Sequence, residues 1–222
     1  MRGFVFRLKP IRKRNFPDIT KRISRFRDVS HRYGAVIFFT CVFALGTLAG
    51  SISAGRADST LLSRLDFLFT TNLSERLTQP FLSAFSASFA SNFLFLAFVF
   101  LCALAPWGCA FIFLAPAFKG FGTGLSAGYL FITYGFKGIC FYLLVMLGGT
   151  FLFCFALIIE CLQSHFLSCK IAGYVFRGAL SDTPVTVYVR RFLIRSLYAL
   201  IISALAAIID MLLWIAFSGL FF

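Results

Sequence analysis

Long apolar runs separated by short polar segments dominate the chain. Each run is close to the ~20 residues that a helix needs to cross the hydrocarbon core of a bilayer. The pattern predicts an all-α fold, a polytopic transmembrane helical bundle of about five spans. The predicted spans are about 34–54, 89–105, 107–135, 139–162 and 197–222. They belong to one transmembrane domain, 33–222, which follows a basic arm, 1–32.

The third run, 106–137, contains two prolines, six glycines and two lysines. Pro106 and Pro116 lack a backbone N–H and disfavour a straight helix. We therefore predict a broken third span, with the break at Lys119-Gly120. A re-entrant hairpin is the alternative. Non-helical backbone at membrane depth must be enclosed by protein or line a wet cavity, so the other spans should pack around this one.

Charge adds an orientation to this picture. The chain is 60% hydrophobic and has a net charge of +13, and 16 of its 21 Lys/Arg lie in 1–32 and in 163–196, read as a loop. The positive-inside rule then predicts a cytoplasmic N-terminus, an outer interfacial loop over 55–87 and an outer C-terminus. The arm, either a basic amphipathic helix or a disordered basic tail, suits anionic lipid headgroups better than nucleic acid.

The sequence offers no catalytic, cofactor or metal constellation. Its seven cysteines and two histidines lack ligand spacing. The segment Gly124–Gly128 matches G-x-S-x-G around Ser126, but a nucleophile elbow needs a strand–turn–helix. Glycines at four-residue spacing instead favour close helix packing, as do Gly46 and Gly50 in the first span. The packing residues of the third span are Gly120, Gly124 and Gly128.

Two charges fall inside predicted spans. Lys119 lies in the third and Asp210 midway along the last. A charge at the bilayer centre costs at least about 2.5–3.5 kcal/mol unless it is paired, hydrated or neutralised. The two residues are therefore a candidate ion pair or shared polar pocket, the alternative being a protonated, purely structural Asp210. Glu160, Lys137 and Arg195 lie near predicted span ends and are interpreted as interfacial anchors.

Four features carry a family resemblance over about residues 30–218. They are Asn72-Leu73, a block from Phe118 to Gly124, a block of Tyr134, Gly135, Lys137 and Gly138, and the acidic Asp210. In this order they resemble the stage II sporulation protein M family of bacterial membrane proteins. One departure is Gly148-Gly149, where family members often carry proline.

The resemblance implies a non-enzymatic scaffold in the bacterial plasma membrane. The family's named member acts in engulfment during endospore formation, with two peptidoglycan-degrading proteins, so the implied partners are peptidoglycan hydrolases in cell wall remodelling. The alternative is a small membrane transporter or channel component, because discontinuous helices often frame solute sites. The chain shows no internal repeat, and five spans cannot form two matched halves, which argues against transport by one copy. A pathway would then have to form between the copies of a homo-oligomer.

Overall fold

The computed structural model describes residues 19–56, 81–177 and 185–221. These ranges are helical apart from short turns and contain no strand, which confirms the all-α helical bundle. The chain forms two compact units, Met1–Gly34 and Ala35–Phe222. The bundle and all the side-chain contacts described below belong to the second unit.

Five α-helices follow one another in the described residues. They are α1 Ile19–Ala54, α2 Phe81–Leu104, α3 Leu114–Phe141, α4 Leu147–Arg177 and α5 Val185–Phe221. A 3₁₀ turn, Gly108–Ala110, lies between α2 and α3, and a π-helical turn, Tyr142–Met146, joins α3 to α4. Four helical stretches are long and apolar enough to cross a membrane: Gly34–Ala54, Phe85–Leu104, Gly108–Phe176 and Thr186–Phe217.

The third of these stretches reverses direction at Gly135. This glycine has φ 61° and ψ −139°, outside the helical region. The Tyr142 hydroxyl donates to the Thr123 carbonyl at 3.4 Å, whereas in a straight helix residues 19 positions apart would be separated by roughly 28 Å. Gly138 likewise lies against the Leu130 carbonyl. The 69-residue stretch is therefore a helical hairpin with two arms of membrane-spanning length.

Contacts give the relative directions of the helices. Gly120 lies against Phe43 and Gly128 against Ser51, so α1 and α3 run parallel. The Ser168 hydroxyl donates to the Ala105 carbonyl at 2.8 Å, while Phe153 and Asn92 meet at Lys119, so α2 and α4 also run parallel. Five successive crossings would have this alternation.

The predicted position of the break is wrong. Helix α3 continues without interruption through Lys119 and Gly120, and the irregular backbone lies before it, between α2 and α3, and at the reversal at Gly135. Pro106 comes just after the last residue of α2. Pro116 is the third residue of α3, where no N–H is needed for an intrahelical bond. The two prolines thus mark a helix end and a helix start.

The polar segments are also more helical than predicted. Helix α4 extends to Arg177 and α5 begins at Val185, so most of the predicted loop 163–196 belongs to these two helices. The segment was predicted to be a loop because its basic residues interrupt the apolar runs. Charged residues are nevertheless common on the exposed faces of helices. Within the basic arm the backbone is helical from Ile19. Residues 1–18 and most of the outer loop, 57–80, lie outside the described residues.

Candidate functional site

A polar cavity of about 50 Å³ lies between α2, α3, α4 and α5. Gly120, next to the cavity residue Lys119, lies against Phe43, close to the midpoint of the apolar stretch Gly34–Ala54. The cavity is therefore at mid-depth of the predicted membrane region. Nine of its 14 lining residues are polar: Ser88, Ser91, Asn92, Lys119, Thr123, Ser126, Tyr142, Thr150 and Asp210.

Lys119 is held on several sides. Its ammonium donates a 2.9 Å hydrogen bond to Oδ1 of Asn92. The same Nζ lies 4.8 Å from the ring centroid of Phe153 and 5.3 Å from that of Phe95. Ring faces attract a desolvated cation by about 2 kcal/mol or more. These contacts offset part of the cost of a charge at this depth.

Asp210 lines the same cavity, so the structure brings both residues of the predicted polar pair to one pocket. Gly149 of α4 lies against the Asp210 backbone and side chain and against the Ala206 carbonyl. A side chain at position 149 would push α4 away from α5 at this point. The Gly148-Gly149 pair, where the resembled family often has proline, thus permits close approach of two helices at the acidic residue. Energetic coupling of Lys119 and Asp210 stays a prediction.

The hydroxyl groups of α3 donate to its own carbonyls. Thr123 donates to Gly120 at 2.8 Å and Ser126 to Gly122 at 3.0 Å. With the proton used locally, each oxygen keeps lone pairs that can accept from a bound donor. Ser126 is buried, and no histidine is among the residues that line the cavity. The arrangement is that of a polar binding surface rather than an activated serine.

The predicted packing glycines all lie against α1. Gly120 faces Phe43 and Thr47, Gly124 faces Thr47, and Gly128 faces Ser51 and Ala54. In return, Gly46 and Gly50 of α1 lie against the backbone around Ala117, Phe121 and Leu125. A methyl group on Gly124 or Gly50 would overlap a carbonyl of the facing helix. This close approach of backbones is the geometry that small residues at four-residue spacing permit.

The residues of the resemblance have different structural settings. Gly135 and Gly138 form the hairpin turn, and Gly138 is buried. Phe118, Tyr134 and Lys137 have exposed side chains. Asn72 lies outside the described residues. The blocks therefore contribute the reversal of direction at Gly135, the contact of Gly120 and Gly124 with α1, and Lys119 of the cavity. Their other residues lie at the bundle surface.

No family model, curated protein or solved structure matches this chain. In the described part of the chain, no group of three His, Cys, Asp or Glu side chains could hold a metal ion.

Several residues that line the cavity were not identified as candidate site residues from the sequence. Single serines and threonines are common in membrane helices, so Thr123 and Thr150 carry no distinct signal. Ser88, Ser91 and Asn92 do carry one, because a spacing of three and four residues places them on one face of α2. The interpretation of Glu160 as an interfacial anchor is wrong, because its side chain is 0% exposed inside the bundle.

Proposed function

We propose that the chain is a non-enzymatic membrane protein that binds a small polar solute at mid-depth of the bilayer and serves as a component of a transporter or channel. The observation that carries this proposal is the cavity that joins Lys119, Asn92 and Asp210. Ionisable residues inside membrane segments are costly and typically mark solute or ion pathways. Helix packing alone does not require a basic and an acidic residue around the same cavity.

The helix irregularities near the cavity support the same proposal. The π-helical turn Tyr142–Met146 contributes Tyr142 and Met146 to the lining. Single π turns inside helices occur frequently at functional sites, and helices interrupted near a cavity are a common feature of transporters. The lining therefore combines polar side chains with backbone that departs from a regular α-helix.

The size and charge of the cavity favour a very small solute. A volume of about 50 Å³ has room for a few water molecules, since each water molecule needs a cavity volume of roughly 10–15 Å³. An ammonium and a carboxylic group on the lining suit a small zwitterion, which would place one charge near each. Glycine is the simplest probe of that class, and chloride is the matching probe for a site that uses Lys119 alone.

Flux into proteoliposomes tests this proposal. Uptake of labelled glycine and of chloride is compared for the wild type, Lys119→Met and Lys137→Met. The last is a matched control, since Lys137 is an exposed lysine outside the cavity. We expect uptake of one probe by the wild type and the control, and at least tenfold less by Lys119→Met. Uptake of both probes equal to that of protein-free liposomes would contradict the proposal.

A second candidate is a scaffold for a peptidoglycan-remodelling complex that acts in engulfment during endospore formation. The exposure of Phe118, Tyr134 and Lys137 supports it, because residues of the resemblance blocks that face outward are placed to contact a partner's membrane helix. Phe118 has 56% of its side chain exposed and takes no part in the cavity.

Affinity purification from sporulating cells tests the scaffold. We expect peptidoglycan hydrolases to co-purify with the wild type and with Phe151→Ala, and to be depleted with Phe118→Ala. Phe151 is a suitable control because it is 72% exposed, lies on α4 and does not line the cavity. Absence of any hydrolase from the wild-type purification would exclude this role.

A further inference from the structure

A second buried acid lies outside the cavity. Glu160 of α4 is 0% exposed. Neither of its carboxyl oxygens makes a hydrogen bond of ordinary geometry to a described residue, although the Ser196 hydroxyl of α5 is close enough to interact. Buried polar atoms in native proteins nearly always have partners, so a carboxyl group without them requires a physical explanation.

Buried hydroxyl groups extend from Glu160 in both directions. Ser164 lies one helical turn further along α4, and Ser203 lies on α5; both are 0% exposed and neither hydroxyl has a partner among the described residues. Ser196, Ser203 and Asp210 are spaced by seven residues, which places them on one face of α5. Ser203 is therefore positioned between Asp210 and the residue beside Glu160.

The helix register gives the scale of this arrangement. Gly149 lies against Asp210, and Glu160 lies beside Ser196, so α4 and α5 are antiparallel. Glu160 is 11 residues beyond Gly149 on α4, or roughly 16 Å along the axis. The polar groups thus lead from the cavity toward the end of the bundle where Ser168 donates to the Ala105 carbonyl.

The surroundings of Glu160 favour its neutral form. An ionised carboxylate without compensating hydrogen bonds is far more costly to bury than a protonated one. The titratable groups near it are the thiol of Cys161 on α4 and, across from that thiol, Cys102 of α2. The nearest residues of positive or potentially positive charge on α4 and α5, His165 and Arg195, have exposed side chains.

We propose that Glu160 is a proton-binding site, and that Ser203 and intervening water connect it to the Asp210 cavity. In the transfer step, the Asp210 carboxyl gives its proton through water to the oxygen of Ser203, because seven residues on α5 correspond to roughly 10 Å. When Glu160 has lost its proton, Ser203 passes its own hydroxyl proton on to that carboxylate, again through water. Asp210 ends as a carboxylate and Glu160 as a carboxylic acid, with no oxidant or reductant involved. This proposal stands whether or not a solute crosses the membrane.

Infrared spectroscopy in lipid nanodiscs tests the site itself. We expect a protonated carboxyl C=O band at neutral pH that disappears in Glu160→Gln and is retained in Ser203→Ala. The retained band also shows that Ser203→Ala is folded around Glu160. A wild-type spectrum that is indistinguishable from that of Glu160→Gln at every pH would overturn the proposal.

Proton movement tests the connection. Proteoliposomes that contain a pH-sensitive dye are given a membrane potential, and the initial rate of acidification is measured. We expect at least a tenfold loss of rate in Ser203→Ala and in Glu160→Gln, and recovery in Ser203→Thr, which restores the hydroxyl. A wild-type rate equal to that of protein-free liposomes, or equal rates for Ser203→Ala and the wild type, would overturn the connection. A protein that lacks glycine and chloride uptake but passes these tests would refute the solute proposal alone.

Discussion

Lys119 shows how a charged side chain is accommodated at the centre of an apolar bundle. An amide oxygen accepts a hydrogen bond from its ammonium, two phenylalanine rings lie near its charge, and an acidic residue lines the same cavity. None of these residues belongs to α3. The lysine therefore links α2 and α4 to α3 and shares the cavity with Asp210 of α5, and its replacement should affect both packing and the electrostatics of the cavity.

A double-mutant cycle tests whether Lys119 and Asp210 act as a pair. We expect Lys119→Met and Asp210→Asn each to lower the free energy of unfolding in detergent micelles, because each leaves the other polar group without its complement. The double variant should regain part of the loss, with an interaction energy of about 0.5–3 kcal/mol. Simple additivity would show that the residues do not meet energetically. Asp210 would then be better explained as a protonated donor or as the contact of a partner's membrane helix.

At this scale the sequence identifies charges better than neutral polar groups. Lys119 and Asp210 stand out in apolar runs, and both line the cavity. Thr123 and Thr150 do not stand out, because their role depends on which helix faces meet. Glu160 was misassigned for a related reason: its place near the end of an apolar run says nothing about which way its side chain points.

The contact between α1 and α3 depends on residues without large side chains. Replacement of Gly124 by Leu should strongly reduce the amount of folded protein, since a side chain there would overlap the Thr47 backbone. Size-exclusion chromatography of a fluorescent fusion measures this amount. Gly173→Leu is a matched control, because nothing lies within 4 Å of that position. Normal levels of Gly124→Leu would contradict the packing role.

Ser126→Ala separates packing from catalysis in the same helix. Its hydroxyl donates only to the Gly122 carbonyl of its own helix, so we expect nearly wild-type levels and at most a modest change in solute uptake. The same chromatography and uptake assays measure both quantities. Complete loss of activity at normal protein levels would bring back the serine-nucleophile alternative.

Replacement by alanine should change stability in opposite directions at Gly135 of the hairpin turn and at Gly173 of α4. Gly135→Ala should destabilise the protein by about 1–3 kcal/mol, because its φ of 61° and ψ of −139° disfavour any side chain. Open space surrounds this position, so the effect is conformational rather than steric. Gly173→Ala, within a regular helix, should stabilise slightly, since glycine costs roughly 0.5–1 kcal/mol there. Thermal unfolding in micelles compares the two, and a Tm for Gly135→Ala at or above that of the wild type would contradict the turn.

Element boundaries show where pattern reasoning succeeds and fails. The apolar runs predict the number of membrane-length segments, because hydrophobic length is a property of the chain itself. The break was misplaced because proline and glycine have several uses. Pro116 is compatible with the first turn of a helix, and Gly120 serves a contact with α1 that only the folded bundle reveals.

The described helices alternate in direction as five crossings would, and charge predicts the orientation of the bundle in the membrane. With 16 of 21 Lys/Arg in 1–32 and 163–196, we expect the N-terminus inside and the C-terminus outside. Cysteines introduced in 55–87 should react with an impermeant reagent in intact cells, and cysteines in 175–185 should react only after permeabilisation. Labelling of cysteines in 175–185 in intact cells would contradict the predicted orientation.

Accessibility of Thr123 to water tests the central claim, that the bundle contains a polar site open to solutes. In a folded variant without the seven native cysteines, Thr123→Cys is exposed to a small charged methanethiosulfonate reagent in proteoliposomes. Ala156→Cys, in the fully packed interior of α4, is the control. We predict that Thr123→Cys is modified and that Ala156→Cys is not. Equal protection of both positions would show that the cavity is closed to solutes and would contradict the account.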